Sequence, residues 1–220
     1  LIDYRNYGAA NNSKYVNNSY DFKIWTPWKF GFSLGHTIGS SLALGATYEY
    51  EDYSRINTRI NDGGYIDYWT GSYYDSSIAD TQMNNHTREV LKAVSTLKLG
   101  VEYKPTTNLA LRAGYNYVSP MYFSDGQKDP GLSSLGTSYA SATDYTDWKA
   151  TNRFTLGVGY QIDKFNIDLA YQYSSQAGDF YPFSNVKNIN INSTTYNNIA
   201  TGTKVKNDKS QLLLTLGYRF

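Results

Sequence analysis

The sequence predicts an all-β protein, a transmembrane antiparallel up-and-down β-barrel, and three observations lead to that prediction. Apolar and polar residues alternate with period two in seven segments, apolar faces often end in tyrosine, and short connections alternate with long ones. Strict alternation is expected of a strand that turns one side to an apolar environment and the other side to a polar one. The mean hydropathy is negative, as expected when the two faces of each strand average out.

Each of the seven segments has one apolar face. In the first, Trp28, Phe30, Phe32 and Leu34 alternate with lysine, glycine and serine. The predicted strands are about 9–13 residues long, which suits a tilted strand crossing a bilayer and exceeds the usual length in globular proteins. The seven segments cover residues 28–35, 42–51, 96–103, 109–117, 153–161, 165–173 and 211–220.

Tyrosine is the dominant aromatic residue, with 23 copies in 220 residues. Its ring and hydroxyl suit opposite sides of a membrane interface, so tyrosine at the end of an apolar face predicts an aromatic girdle. The tyrosines in question are Tyr48, Tyr50, Tyr103, Tyr115, Tyr117, Tyr171, Tyr173 and Tyr218.

The connections alternate strictly in length. Short turns are predicted at residues 39–40, 104–107 and 163–164, and long polar loops at about 54–89, 119–149 and 175–207. Compact soluble domains rarely carry three structureless loops of that size, whereas outer-membrane barrels have short periplasmic turns and long external loops. The expected location is therefore the outer membrane of a Gram-negative cell, with the C-terminus in the periplasm.

Strand count leaves two architectures open within one β-barrel domain over residues 1–220. Leu1–Tyr7 could be the tail of a further strand and Gly8–Ser19 a loop, which gives 7–8 strands in all. Eight strands could close a small barrel. A chain that begins inside a strand instead suggests part of a larger barrel.

Composition and motifs argue against several other functions. A net charge of +1 gives no electrostatic reason to expect a nucleic-acid partner. Nucleophile elbows, phosphate loops and paired catalytic carboxylates do not occur in the sequence, so we do not expect an enzyme. His36 and His86 are isolated from each other and from any carboxylate cluster, so neither a metal site nor a cofactor is predicted.

Two groups of residues are candidates for function. The first, expected to face the lumen, is charged: its members could neutralise one another, with Lys98 or Arg112 pairing with Glu102 or Glu49, or could contact substrate. The second would form an apolar groove among the external loops. The lumen candidates are Glu49, Lys98, Glu102, Arg112, Arg153 and Asp168; the loop candidates are Trp69, Tyr73, Tyr74, Phe180, Tyr181 and Phe183.

Three stretches carry a resemblance to a known family. Thr26-Pro27-Trp28 leading into residues 30–35, the glycine-containing hairpin over residues 97–115, and the ending Leu216-Gly217-Tyr218-Arg219-Phe220 resemble the FadL/TodX family of outer-membrane transporters, including members labelled "hemin receptor" in Bacteroidetes-type genomes. The resemblance covers roughly residues 20–220 and implies the C-terminal half of a fourteen-stranded barrel.

The resemblance implies passive uptake of hydrophobic small molecules such as long-chain fatty acids or aromatic hydrocarbons. In that family an N-terminal hatch plugs the lumen and cargo leaves sideways through the wall, so no family ligand residue is assigned to this chain. Implied partners are outer-membrane lipid, the cargo, and the barrel-assembly machinery through the C-terminal strand. The alternative is a small closed barrel with a structural or adhesive role exercised by its long loops.

Overall fold

A computed structural model describes residues 22–127, 133–134, 137–138 and 144–220 of the chain. The expectations for Leu1–Tyr7 and Gly8–Ser19 lie outside these residues, as does most of the stretch 128–143 within the second predicted loop.

The described elements are mostly strands. In chain order they are β1 (Phe22–Trp25), β2 (Lys29–Ile38), β3 (Leu42–Asp52), a 3-10 turn (Tyr53–Arg55), β4 (Asn57–Ile66), β5 (Tyr73–Ala79), α1 (Thr81–Val90), β6 (Ala93–Tyr103), β7 (Leu109–Val118), β8 (Ser133–Ser134), β9 (Thr137–Ser138), β10 (Tyr145–Ile162), β11 (Phe165–Tyr181), β12 (Val186–Ile191), β13 (Thr194–Asn198) and β14 (Thr203–Tyr218).

Seven of these strands form one antiparallel sheet. Their order is β2-β3-β6-β7-β10-β11-β14, so each strand pairs with the next long strand along the chain. The prediction of an all-β fold with up-and-down antiparallel strands is thereby confirmed. Within the described residues the sheet is open rather than closed into a barrel, because β2 and β14 each pair with a long strand on one side only.

One register keeps the two faces of this sheet separate. A single row across six strands carries large apolar or small side chains on one face, and the adjacent row carries glycine and polar residues on the other. The apolar row is Leu44, Val101, Ala113, Leu156, Tyr171 and Leu212; its polar neighbour is Gly45, Gly100, Gly114, Thr155, Gln172 and Gln211. We call these sides the apolar face and the polar face.

The apolar face is uncovered. Leu212 is 71% exposed, Phe32 69% and Leu156 62%, although each belongs to a continuous apolar surface. Within the described part of the chain, buried apolar side chains are few: Ile60, Val94, Ala110 and Ala200. The sheet therefore has no conventional hydrophobic core between layers.

The short turns join the long strands at one end of the sheet. Residues 39–41 connect β2 to β3, 104–108 connect β6 to β7, and 163–164 connect β10 to β11. Gly39 has a φ of +59° and Asp163 a φ of +50°, a left-handed conformation that glycine adopts freely and aspartate tolerates better than most residues. These turns lie where the sequence places them.

The long connections differ from the structureless loops that we expected. Residues 54–89 contain β4, β5 and most of α1, while β10, β11 and β14 extend well into the other two predicted loops. The apolar alternation that predicts strands is absent before residue 153 in β10 and after residue 173 in β11. Backbone pairing between the two strands nevertheless continues on the far side of both positions. The strands are therefore longer than the alternating segments that predict them.

A small separate layer forms at the opposite end from the short turns. β1, β4 and β5 make a three-stranded sheet, and α1 is fixed to it by the buried side chain of Asn84. The Asn84 amide accepts from the Thr58 N–H at 2.7 Å, donates to the Thr58 carbonyl at 3.0 Å, and donates to Asn57 Oδ1 at 2.9 Å.

Among the described residues, no helix combines the length and apolarity needed to cross a membrane.

We expect Asn84→Ala to loosen this layer locally. The change removes the acceptor of the Thr58 N–H, at a cost of about 1–3 kcal/mol, whereas the Thr58 carbonyl keeps its hydrogen bond from the Asp80 N–H at 2.9 Å. Amide hydrogen exchange over residues 57–60 should become faster, whereas the exposed substitution Gln82→Ala on the same helix should leave it unchanged. Equal exchange in the two variants would show that Asn84 does not hold α1 in place.

Candidate functional site on the polar face

Small side chains form a depression in the middle of the polar face. A cavity of about 630 Å³ lies against them, so the polar face is concave at this place. Cβ atoms added at Gly45 or Gly100 would meet open space. We call this depression the glycine saddle; its small side chains on the polar face are those of Ala43, Gly45, Gly100, Gly114, Gly157 and Ala170, and Thr155, Glu102, Arg112 and Asp168 also line it.

A group of charged residues closes the saddle on the side of the short turns. Arg112 donates from Nε to Glu102 Oε2 at 2.6 Å and from Nη1 to Asp168 Oδ1 at 2.6 Å. Lys104 Nζ lies 3.2 Å from Glu102 Oε1, and Asn166 Nδ2 donates to Asp168 Oδ2 at 3.1 Å. This turn-side ion group joins β6, β7 and β11.

Arg112 reaches Asp168 by passing over an intervening strand. β10 lies between β7 and β11 in the sheet, and Gly159 is the direct cross-strand partner of Asp168. A Cβ on Gly159 would lie 2.9 Å from Arg112 Nη1 and closer still to Asp168 Oδ1. The missing side chain is therefore what allows an ion pair to span three strands.

A second ion group lies on the polar face toward the other end of the sheet. Glu49 accepts Lys98 Nζ at 2.6 Å through Oε1 and Lys29 Nζ at 3.0 Å through Oε2. The glycine saddle lies between the two groups. Exposed ion pairs contribute little stability one at a time, about 0–1 kcal/mol each, so their main effect here is to neutralise charge beside an apolar depression.

The predicted lumen candidates fall into these groups with one exception. The structure pairs Glu49 with Lys98, and Glu102 with Arg112, as the sequence suggests, and it adds Asp168 to the second pair. Arg153 belongs to neither group among the described residues. Lys104 and Asn166 were not singled out from the sequence, and only their closeness to the predicted turns could have indicated them.

The predicted loop aromatics lie on two separate elements. Trp69, Tyr73 and Tyr74 belong to the β4–β5 hairpin, where Tyr74 stacks on Tyr65 with ring centroids 5.4 Å apart. Trp69 is 98% exposed and its neighbour Tyr68 99% exposed, so the hairpin carries a bare aromatic tip. We did not single out Tyr68, although it belongs to the same aromatic stretch.

The remaining aromatic candidates lie around the end of β11. Phe180 and Tyr181 are half-buried at the end of that strand and Phe183 follows it. Tyr181 stacks on Tyr145 of β10 with centroids 4.9 Å apart.

A buried carboxyl lies next to this second aromatic group. Asp147 faces Asp179 directly across the β10–β11 ladder, and Asp179 is in turn paired with Lys149 at 2.8 Å. Burial first, and the Asp179 charge second, raise the pKa of Asp147 to about 6. The described residues contain no group of three or more histidines, cysteines or acids that could hold a metal ion. Asp147 and Asp179 are only two acids and do not form such a group.

We expect Gly159→Ala to disrupt the turn-side ion group. The new methyl group would displace Arg112 or Asp168 and destabilise the folded protein by about 1–3 kcal/mol, as overpacking does elsewhere. Urea unfolding measures the change. Gly100→Ala is the matched control, since it adds the same methyl to the same face in open space, and its stability should equal or exceed that of the parent. A Gly159→Ala variant as stable as Gly100→Ala would mean that Arg112 does not need this passage.

Comparisons with known proteins find no matching family model, no matching curated protein and no matching solved structure. The resemblance to the FadL/TodX family stays a prediction.

Proposed function

We propose that this chain forms part of an outer-membrane β-barrel that lets hydrophobic small molecules, such as long-chain fatty acids or aromatic hydrocarbons, enter the cell by passive diffusion. The C-terminus and the short turns would face the periplasm, and the β1-β4-β5 layer would face outside. The observation that carries the proposal is the glycine saddle, a small-residue depression on an otherwise polar and charged concave face.

The apolar face supports the membrane location because its character changes from apolar to polar along the strands. On β14 the side chains at 212, 214, 216 and 218 are leucine or tyrosine, but Ser210 begins a polar run in which Asp208 and Lys206 form an ion pair. Tyrosine hydroxyls bond to polar side chains at that boundary, where an aromatic girdle would meet the headgroups. These bonds are Tyr48 to Ser95, Tyr115 to Asn152 and Tyr171 to Ser210.

The open edges of the sheet support a larger barrel. β2 and β14 each leave one edge unpaired within the described residues, and an unpaired backbone edge is not tolerated in lipid. Additional strands must therefore close the sheet if it spans a membrane. A fourteen-stranded barrel, with this chain as its C-terminal half, is the arrangement that the predicted family resemblance favours.

The glycine saddle supports apolar cargo over ions. A channel for ions or polar solutes uses rings of charge or carbonyl dipoles at its narrow region, whereas the glycine saddle is lined mostly by small side chains, with Thr155 as a neutral polar member. The charges on both sides are already paired with each other. An apolar molecule crossing the saddle would strip water from few polar groups, and such stripping is the main cost of apolar passage through a polar pore.

The β4–β5 hairpin favours a second candidate function, adhesion. Its tip presents Tyr68 and Trp69 almost fully exposed, and rigid aromatic side chains are frequent anchors in protein interfaces. Under this alternative the barrel is a structural support and the hairpin binds a partner at the cell surface.

The membrane location can be tested with two adjacent leucines. Leu213 is 63% exposed and Leu214 59% exposed, but Leu213 lies on the polar face and Leu214 on the apolar face. A lysine facing lipid near the middle of the bilayer costs about 2–4 kcal/mol, so Leu214→Lys should lower the folded, bilayer-inserted fraction while Leu213→Lys leaves it near that of the parent. Protease protection in lipid vesicles measures that fraction.

The leucine pair also distinguishes a water-soluble sheet. If the apolar face met water, both lysines would be tolerated alike; if it packed against another protein layer, Leu214→Lys would impair folding even without lipid. Either outcome would contradict the membrane proposal.

Transport can be tested by filling the saddle. Gly45→Trp places an indole in the open space of the concave face, so uptake of labelled oleate by cells that rely on this protein should fall several-fold. Leu44→Trp is the control, because it puts the same indole on the opposite face one residue away. Both variants should reach the membrane in equal amounts.

Two results would count against transport. Unchanged oleate uptake in Gly45→Trp at normal abundance would remove the saddle from the route. Loss of cell-surface binding in a Trp69→Ala variant, with no effect of the protein on uptake at all, would favour the adhesive alternative.

A further inference from the structure

A pocket of about 540 Å³ lies at the external rim of the sheet, where β1 meets β2 and β3. Its walls are aromatic, and two residues of opposite charge stand at its mouth. We call it the rim pocket and define it by Trp25, Trp28, Phe30, Tyr50, Asp52 and Arg55. It is separate from the glycine saddle and shares no residue with it.

The rim pocket opens on the apolar face. Phe30 and Tyr50 are direct cross-strand partners on the side that carries the large apolar residues. Trp28, one step further along that side, is 83% exposed. The pocket thus faces away from the concave surface on which cargo would travel.

One wall of the pocket is held in place from behind. The guanidinium of Arg59 lies 5.0 Å from the centre of the Trp25 ring and is itself fixed by Ser77, whose hydroxyl accepts from Arg59 Nε at 3.0 Å. A cation against an aromatic face is attractive. Trp25 is therefore positioned before any ligand arrives, although it stays 57% exposed.

Arg55 supplies an available cation at the mouth of the pocket. Among the described residues its recorded partner is Asp52, reached through Nε at 3.3 Å. Asp52 is otherwise occupied, since its Oδ1 accepts from both the backbone N–H and the hydroxyl of Ser54. That contact uses Nε and not the two terminal nitrogens of Arg55, and a guanidinium fork suits phosphate oxygens.

An apolar track continues from the pocket along β2. Phe32 is 69% exposed and Leu34 64% exposed, and both lie below Phe30 on the same side of an edge strand. A ligand with an anionic head at Arg55 could lay one hydrocarbon chain along this track. A cation that can bind phosphate, next to an apolar track, matches a lipid that carries a phosphate rather than a free ion.

We propose that the rim pocket binds one anionic lipid of the surrounding leaflet that carries a phosphate, with the phosphate on Arg55 and an acyl chain along Trp28, Phe30 and Phe32. The inference rests on the proposed membrane location but not on the transport of any cargo. The lipid would cover the exposed outer face of the edge strand β2.

Tryptophan quenching by brominated lipid tests the proposal. The full-length protein is reconstituted in phosphatidylcholine vesicles that contain a small fraction of phosphatidylglycerol brominated on its acyl chains. Quenching that is lost in Trp28→Phe reports on the pocket. We expect brominated phosphatidylglycerol to quench Trp28 well above the level reached by the same fraction of brominated phosphatidylcholine.

The charge requirement is tested with two arginines. Arg55→Gln should lower the relative affinity for phosphatidylglycerol about fivefold, the effect of one arginine close to a charged membrane surface. Arg88→Gln is the matched control: this arginine is exposed on α1 and lies outside the pocket, and quenching should be unchanged.

Three results would overturn the inference while leaving the membrane location intact. Two of them are equal quenching by the two brominated lipids and no effect of Arg55→Gln. The third is quenching of Trp28 by brominated oleate in competition with unbrominated phosphatidylglycerol, which would make cargo the occupant. Failure of the parent protein to insert, read from protease protection, would instead overturn the proposed function and this inference together.

Discussion

One register across seven strands is the constraint on which the rest of this structure depends. It puts the large apolar residues at the centres of the long strands on one side, with Leu213 as the main exception. A shift of one residue in any pair would turn a leucine toward Arg112 and Asp168 and a charge toward the apolar side. The ion pairs reinforce the register, because Arg112 can reach Asp168 only where Gly159 leaves a passage between them.

That register creates an apolar surface too large to leave in water. Contiguous exposed apolar surface of more than a few hundred square ångströms marks an interaction site or a risk of aggregation, and here it runs across all seven strands. If a protein partner covered the apolar face, the tyrosine hydroxyls would be buried in that interface. Instead Tyr48 and Tyr171 bond to serines at the level where the same face turns polar. The proposed membrane location would account for both observations through a boundary between hydrocarbon and headgroups.

The sequence predicts the strand centres and the faces well, but not the strand ends. Alternation is visible only where one face is apolar, so Tyr145–Thr151 and Ser175–Tyr181 carry no amphipathic signal although their backbones pair on both sides of an irregularity between Trp148 and Thr151. The pairs of Lys98 with Glu49 and Arg112 with Glu102 could be predicted because they join neighbouring strands. The link from Arg112 to Asp168 could not, since it depends on the space above a single glycine two strands away from Glu102.

The summed charges of the two ion groups on the polar face are small, which supports the proposal that neutral cargo passes its centre. The group of Lys29, Lys98 and Glu49 sums to one positive charge, and the group of Lys104, Arg112, Glu102 and Asp168 sums to zero. Paired charges project a weak field compared with an unpaired ring of one sign, and ion selectivity requires such a field. In the proposed channel, a weak field at both ends and a depression lined mostly by small side chains would leave size and desolvation, rather than charge, to decide which molecules pass.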